Sequence, residues 1–120
     1  MISDLAKALP EYASRLQFLI GRIVDLHAIV KHNICDPAFE GSFSIKRVLP
    51  ALVPGMGYDD LDITEGNLAS FRYLQMLEAE AKGNQDIAEV IRKNLWDYCK
   101  RDTEAMVEVI KALEVLVDQR

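Results

Sequence analysis

The chain is short of most features that mark a specialised protein. Its 120 residues include two cysteines, Cys35 and Cys99. Neither lies in a Cys-x-x-Cys pair, and two are too few for a disulfide scaffold or a four-thiolate zinc site. Reduced, partly buried thiols in a cytosolic protein are expected, with a bridge between the two as the alternative. No apolar run reaches about 18 residues, so no transmembrane helix is predicted. Met1-Ile2-Ser3-Asp4-Leu5-Ala6-Lys7 has neither the basic start nor the apolar stretch of a secretory signal. No basic run exceeds two residues, and 19 acids against 14 bases leave a net charge of −5. That argues against tight, salt-driven binding of nucleic acid by this chain alone, though an acidic metal-binding cleft would carry the same sign. No segment alternates as a half-buried strand would, and there is no internal repeat or low-complexity stretch.

What remains is helical periodicity on a chain that is half apolar, with the length of one domain, residues 1–120. Ser3 or Asp4 can start a short helix that Pro10 interrupts. Pro10 suits the first turn of a second helix through Tyr12, Leu16, Leu19, Ile20, Ile23 and Val24. The pattern goes on through Leu26, Ile29 and Val30, and its continuity across Asp25 is left open. Residues 33–43 read as a loop. Ser44 is placed to cap a helix holding Ile45, Val48, Leu49 and Leu52, with Pro50 expected to end or kink it. After the loop at Pro54-Gly55-Met56-Gly57 and an acidic stretch to Glu65, a helix runs from Gly66 or Asn67 to about Lys82 and stops at Gly83-Asn84. Asp86 is expected to cap the last helix, which ends near Val117. The predicted fold class is mainly α, with about five helices, loops and no strand.

One position in that last helix breaks its own pattern. An apolar series runs Ile91, Leu95, Tyr98, then Met106, Val109, Leu113 and Leu116, in steps that mark one helix face. Asp102 fills the gap and falls near the middle of the stripe. A carboxylate aimed at a core is costly unless it is paired, neutralised or bound to a metal. Tyr98 lies one turn earlier on the same face. Two readings follow. Either the helix breaks near Arg101 and Asp102 caps a new one, or Asp102 is a metal-binding carboxylate and Tyr98 positions a water.

Other polar clusters are weaker. Asp59, Asp60, Asp62 and Glu65 lack calcium-loop spacing and read as a solvated turn. His27 and His32 are five apart, off the spacing that puts two metal ligands on one helix face. Lys46 and Arg47 read as a solvated helix face, with a phosphate contact as the alternative. Gly55-Met56-Gly57 lacks the third glycine and the preceding strand of a phosphate loop.

Two stretches together carry a specific resemblance. One is Gly41-Ser42-Phe43-Ser44-Ile45-Lys46-Arg47-Val48-Leu49-Pro50-Ala51-Leu52-Val53-Pro54. The other is Tyr98-Cys99-Lys100-Arg101-Asp102-Thr103-Glu104-Ala105-Met106-Val107. With Ile23-Val24-Asp25-Leu26 before them and Tyr58-Asp59-Asp60-Leu61 between, they resemble the C-terminal part of a bacterial domain-of-unknown-function family. That family looks like a branch of the tyrosine-type DEDD 3′–5′ exonucleases, which have a ribonuclease-H-like α/β fold.

The resemblance implies that Tyr-x-x-x-Asp is the third motif of such an enzyme. Asp102 would be catalytic as a ligand of Mg or Mn, and Tyr98 would orient the attacking water. The first motif, Asp-x-Glu on a strand, has no counterpart here, and the second, Asn-x-x-x-acid, is expected upstream of residue 1. The chain would then be the helical C-terminal portion of a larger nuclease-like domain, inactive alone because one carboxylate cannot hold two magnesium ions. Nucleic acid would be a partner of the longer protein rather than of this chain. The rival expectation is a stand-alone helical interaction module without catalysis. Such a module would form a homodimer through exposed apolar faces, with Val109, Leu113 and Leu116 as the candidate surface.

Overall fold

A computed structural model describes residues 1–119. Among them there are six α-helices and no strand: α1 (Ile2–Ala8), α2 (Ala13–Ile20), α3 (Leu26–Asn33), α4 (Ile45–Leu52), α5 (Gly66–Ala81) and α6 (Gln85–Asp118). The fold is mainly α. Among the described residues no helix is long and apolar enough to cross a membrane.

Local chemistry explains most boundaries. Pro10 opens a single 3-10 turn, Pro10–Tyr12, that separates α1 from α2, because proline cannot donate to a continuing helix. The apolar run that suggests one long helix through Val24 is cut at Gly21. Asp25 then restarts it, its Oδ1 accepting from the amides of His27 at 3.0 Å and Ala28 at 3.4 Å. An aspartate at this position satisfies amides that the first turn leaves without partners. Asp36 does the same for the turn Pro37–Phe39, accepting from Ala38 N at 2.8 Å and so turning Phe39 into the core.

Ser44 occupies the N-cap position of α4 without a side-chain capping bond. Pro50 does not end α4, which runs two residues past it to Leu52. The helix is so short that the missing amide costs only one bond in its last turn. α5 ends in a Schellman turn: Asn84 N donates to Ala79 O, Gly83 N donates to Glu80 O, and Gly83 takes a φ of 76°, which glycine adopts without strain. Asn84, not Asp86, takes the N-cap position of α6, and Asp86 sits in its first turn.

α5 and α6 form an antiparallel hairpin, tied across by Arg92 of α6 to Glu80 of α5. Met76, Ala79 and Ala88 close its base, with Ile91 and Leu95 packed on them. The main core joins Tyr98, Ala105 and Val109 of α6 to Val48 and Leu49 of α4, Val30 of α3, Phe39, Tyr58 and Ile63. α1 and α2 pack on each other, and Ala6 is their one buried residue.

Candidate functional site

α6 passes through Arg101 without a break, so Asp102 is not a helix cap. It lies on the inner face, in a row Ala88, Ile91, Leu95, Tyr98, Asp102, Ala105, Val109 whose steps are all three or four residues. Ala105 takes the place that the sequence suggests for Met106. Ala105 is fully buried, whereas Met106 is about half exposed. By rotation alone positions 105 and 106 lie about equally far from the centre of that row, so what packs over the helix decides between them.

The carboxylate is half-buried, and it is held from 44 residues away. Tyr58 Oη donates to Asp102 Oδ1 at 2.6 Å. A short bond to a charged acceptor is stronger than a neutral one, and it offsets part of the cost of taking Asp102 out of water. Among the described residues no ion pair involves Asp102. The Tyr58 and Tyr98 rings lie 6.2 Å apart, tilted by 52°. Burial, then the bond to Asp102, pushes the Tyr58 hydroxyl far above the ordinary phenol range. Burial first, and the Asp102 charge second, push Tyr98 the same way. Both phenols therefore stay protonated at neutral pH, able to donate or orient but not to act as phenolate bases.

The neighbouring residue faces a different partner. Arg101 grips Asp60 with both guanidinium nitrogens at 2.8 Å and also donates to Gly57 O. Tyr58 lies between those two contacts. The loop from Gly57 to Asp60 is thus fastened to α6 at successive helix positions, by Arg101 and then by Asp102. The Asp60 carboxyl is held below its ordinary range, chiefly by the Arg101 hydrogen bonds. Beside this clamp, Asp59, Asp60, Glu104 and Arg101 line an open cleft of about 630 Å³ with Pro50 and Gly55–Gly57.

Of the residues singled out in the sequence, Tyr98 and Asp102 come together on one face. Tyr58, Arg101 and Asp60 were missed as parts of the site. No periodicity flags Tyr58, which sits in an irregular acidic stretch, and only the order Tyr58-Asp59-Asp60-Leu61 within the resemblance pointed to that segment. The other clusters disperse. His32 Nδ1 bonds to Ala28 O at 2.7 Å, while His27 meets the edge of Phe43. Arg47 pairs with Glu40 at 2.9 Å. Cys35 and Cys99 are both free and both exposed rather than partly buried. Among the described residues no three His, Cys, Asp or Glu side chains converge as a metal site would need. The residues present do not by themselves fit a divalent cation, and Asp102 is one ligand at most.

The profile of a domain of unknown function (DUF2779) matches residues 1–44. That span covers α1 to α3 and the loop before α4, and it stops short of Tyr58, Tyr98 and Asp102. No curated protein and no solved structure matches the chain.

Proposed function

We propose that this chain supplies the tyrosine–aspartate corner of a metal-dependent phosphodiesterase centre of the 3′–5′ exonuclease kind. The remaining carboxylates of that centre are absent from these 120 residues, and the chain alone is catalytically silent. The observation that carries this reading is the placement of Asp102. It is an acid on the buried face of an unbroken 34-residue helix, one turn from a protonated phenol and in no ion pair among the described residues. A purely structural position would more cheaply hold an apolar residue.

In this reading Tyr58 and Tyr98 have separate tasks. Tyr58 fixes the rotamer of the Asp102 side chain through one carboxylate oxygen. Tyr98, kept neutral by burial and by the Asp102 charge, is available to orient a water. Mg or Mn is the cation such centres use, since hard oxygen ligands suit hard cations, and the metal would activate water and stabilise charge on phosphate. Among the described residues no complete site for the ion is present.

The test compares two proteins on 3′-labelled single-stranded DNA and RNA with Mg or Mn. This chain alone is expected to release no nucleotides. The product of the complete reading frame containing these residues is expected to release them, and Asp102→Asn in that protein should abolish release while leaving its melting curve in place. Full activity in the Asp102→Asn protein would refute the assignment.

A further inference from the structure

We infer that the outer face of α6 is a dimerisation seam on which a second copy of this chain lies antiparallel. It does not rest on the reading above, since none of its residues is Tyr58, Tyr98 or Asp102. Trp96, Cys99, Thr103, Met106, Ile110, Leu113 and Val117 follow one another in steps of three, four, three, four, three and four. That is a heptad spacing sustained over three heptads, and it asks for a partner helix rather than for a sheet or for solvent. Leu113 leans partly on the core, but the rest of the apolar row is open: Trp96 is 71% exposed, Met106 47%, Ile110 46% and Val117 69%. The residues between Trp96 and Val117 span about 31 Å of helix, long enough for a continuous contact. Ile23 and Val24, also exposed, line an apolar groove with Met106 and widen the surface on one flank.

Charge on the other flank selects the occupant and its direction. In the antiparallel register that sets Ile110 against Met106 of the second copy, Lys100 comes within one turn of Glu114 of that copy, and Glu104 within one turn of its Lys111. The two-fold axis repeats both pairs. A parallel pair would instead leave Lys100 and Glu114 of the two copies about 21 Å apart along the axis and form neither pair. The face is therefore complementary to itself in one orientation.

Sedimentation across the micromolar range is expected to show a monomer–dimer equilibrium. Met106→Glu is exposed in the monomer, so it should leave the helical circular dichroism of the chain unchanged and raise the dimer Kd at least about tenfold, which is 1.4 kcal/mol. Lys100→Glu should also weaken the dimer, and adding Glu114→Lys should restore it. Direction is read by cross-linking a chain carrying Cys35→Ser and Val117→Cys. The antiparallel register sets position 117 against Cys99 of the second copy, whereas those positions lie about 27 Å apart within one helix. Mild oxidation is expected to give a covalent dimer bridged between Cys99 and position 117. A chain that stays monomeric, a dimer indifferent to Met106→Glu, or bridges between Cys99 and Cys99 would each overturn the proposal.

Discussion

The two faces of α6 differ in a direction that residue size alone would not suggest. The inner face, Ala88, Ile91, Leu95, Tyr98, Asp102, Ala105 and Val109, includes two alanines and one acid. The outer face carries Trp96, Met106, Ile110 and Val117. Yet Ala105 and Val109 are fully buried while Trp96, Met106, Ile110 and a second valine, Val117, stand in solvent. What buries a position is the element that comes over it. Small residues on the inner face let α4, α5 and the Gly57–Asp60 loop approach the helix axis, and the bulk comes from Leu49 of α4 and Tyr58 of that loop, with Phe39 of the turn Pro37–Phe39 and Ile63 beside them. The outer face offers bulk and receives none.

The sharpest test of that contrast sets a core leucine against the outer tryptophan. Leu49, fully buried on α4, should cost about 2–5 kcal/mol on truncation to alanine, the sum of lost transfer energy and a residual cavity. Trp96→Ala, measured below the concentration at which the chain associates, should fall within about 0.5 kcal/mol of wild type. Urea unfolding followed by circular dichroism reads both, and equal losses would erase the distinction between the faces. Overpacking probes the same contrast from the other side. Ala105→Leu should destabilise by about 1–3 kcal/mol, because α6 and its neighbours must move apart to admit it. Val107→Leu, two residues away and half exposed, should be close to neutral.

A smaller effect is expected at the polar point of the inner face. Tyr58→Phe removes the donor to Asp102 and leaves a half-buried carboxylate to find water, at about 1–3 kcal/mol. Asp102→Asn keeps an acceptor for Tyr58 and should cost less than Tyr58→Phe. If the order is reversed in thermal melts, the Asp102 charge is more important to the fold than its hydrogen bond.

How much of this was legible beforehand depends on the range of the interaction. Stops set by local chemistry could be read: Pro10 before α2, Gly83 after α5, and Ser44 at the start of α4. Asp102 could be placed on a buried face because helical period is a local property. Period fails where a helix has apolar residues on two sides. That is why Met106 reads as core from the series when Ala105 holds the place, and why Val109 reads as a candidate dimer surface when it is buried against α4. The proposed dimerisation seam runs instead through Met106 and Ile110. The partner of Asp102 could not be read at all. Tyr58 reaches it across 44 residues, through a loop whose conformation is fixed by tertiary contacts such as Arg101 to Gly57 and Asp60.

That clamp yields the smallest expected effect and one whose size depends on pH. Arg101 is largely buried and Asp60 largely exposed, so water screens the pair and its contribution should fall below that of the Tyr58 bond. The folded state holds the Asp60 carboxyl below its ordinary value, first through the hydrogen bonds from Arg101. A carboxylate whose pKa is lower folded than unfolded stabilises the fold above its unfolded value, and that stability is lost as pH falls through the folded value. The difference in unfolding free energy between wild type and Asp60→Asn should therefore be constant near neutrality, shrink on acidification through the carboxylate range, and vanish once Asp60 is protonated in both states. Added salt should narrow the same difference at neutral pH. A difference that survives at the acid end would mean that Asp60 holds the loop by its shape, and the fastening of Gly57–Asp60 to α6 would then rest on Tyr58 and Asp102.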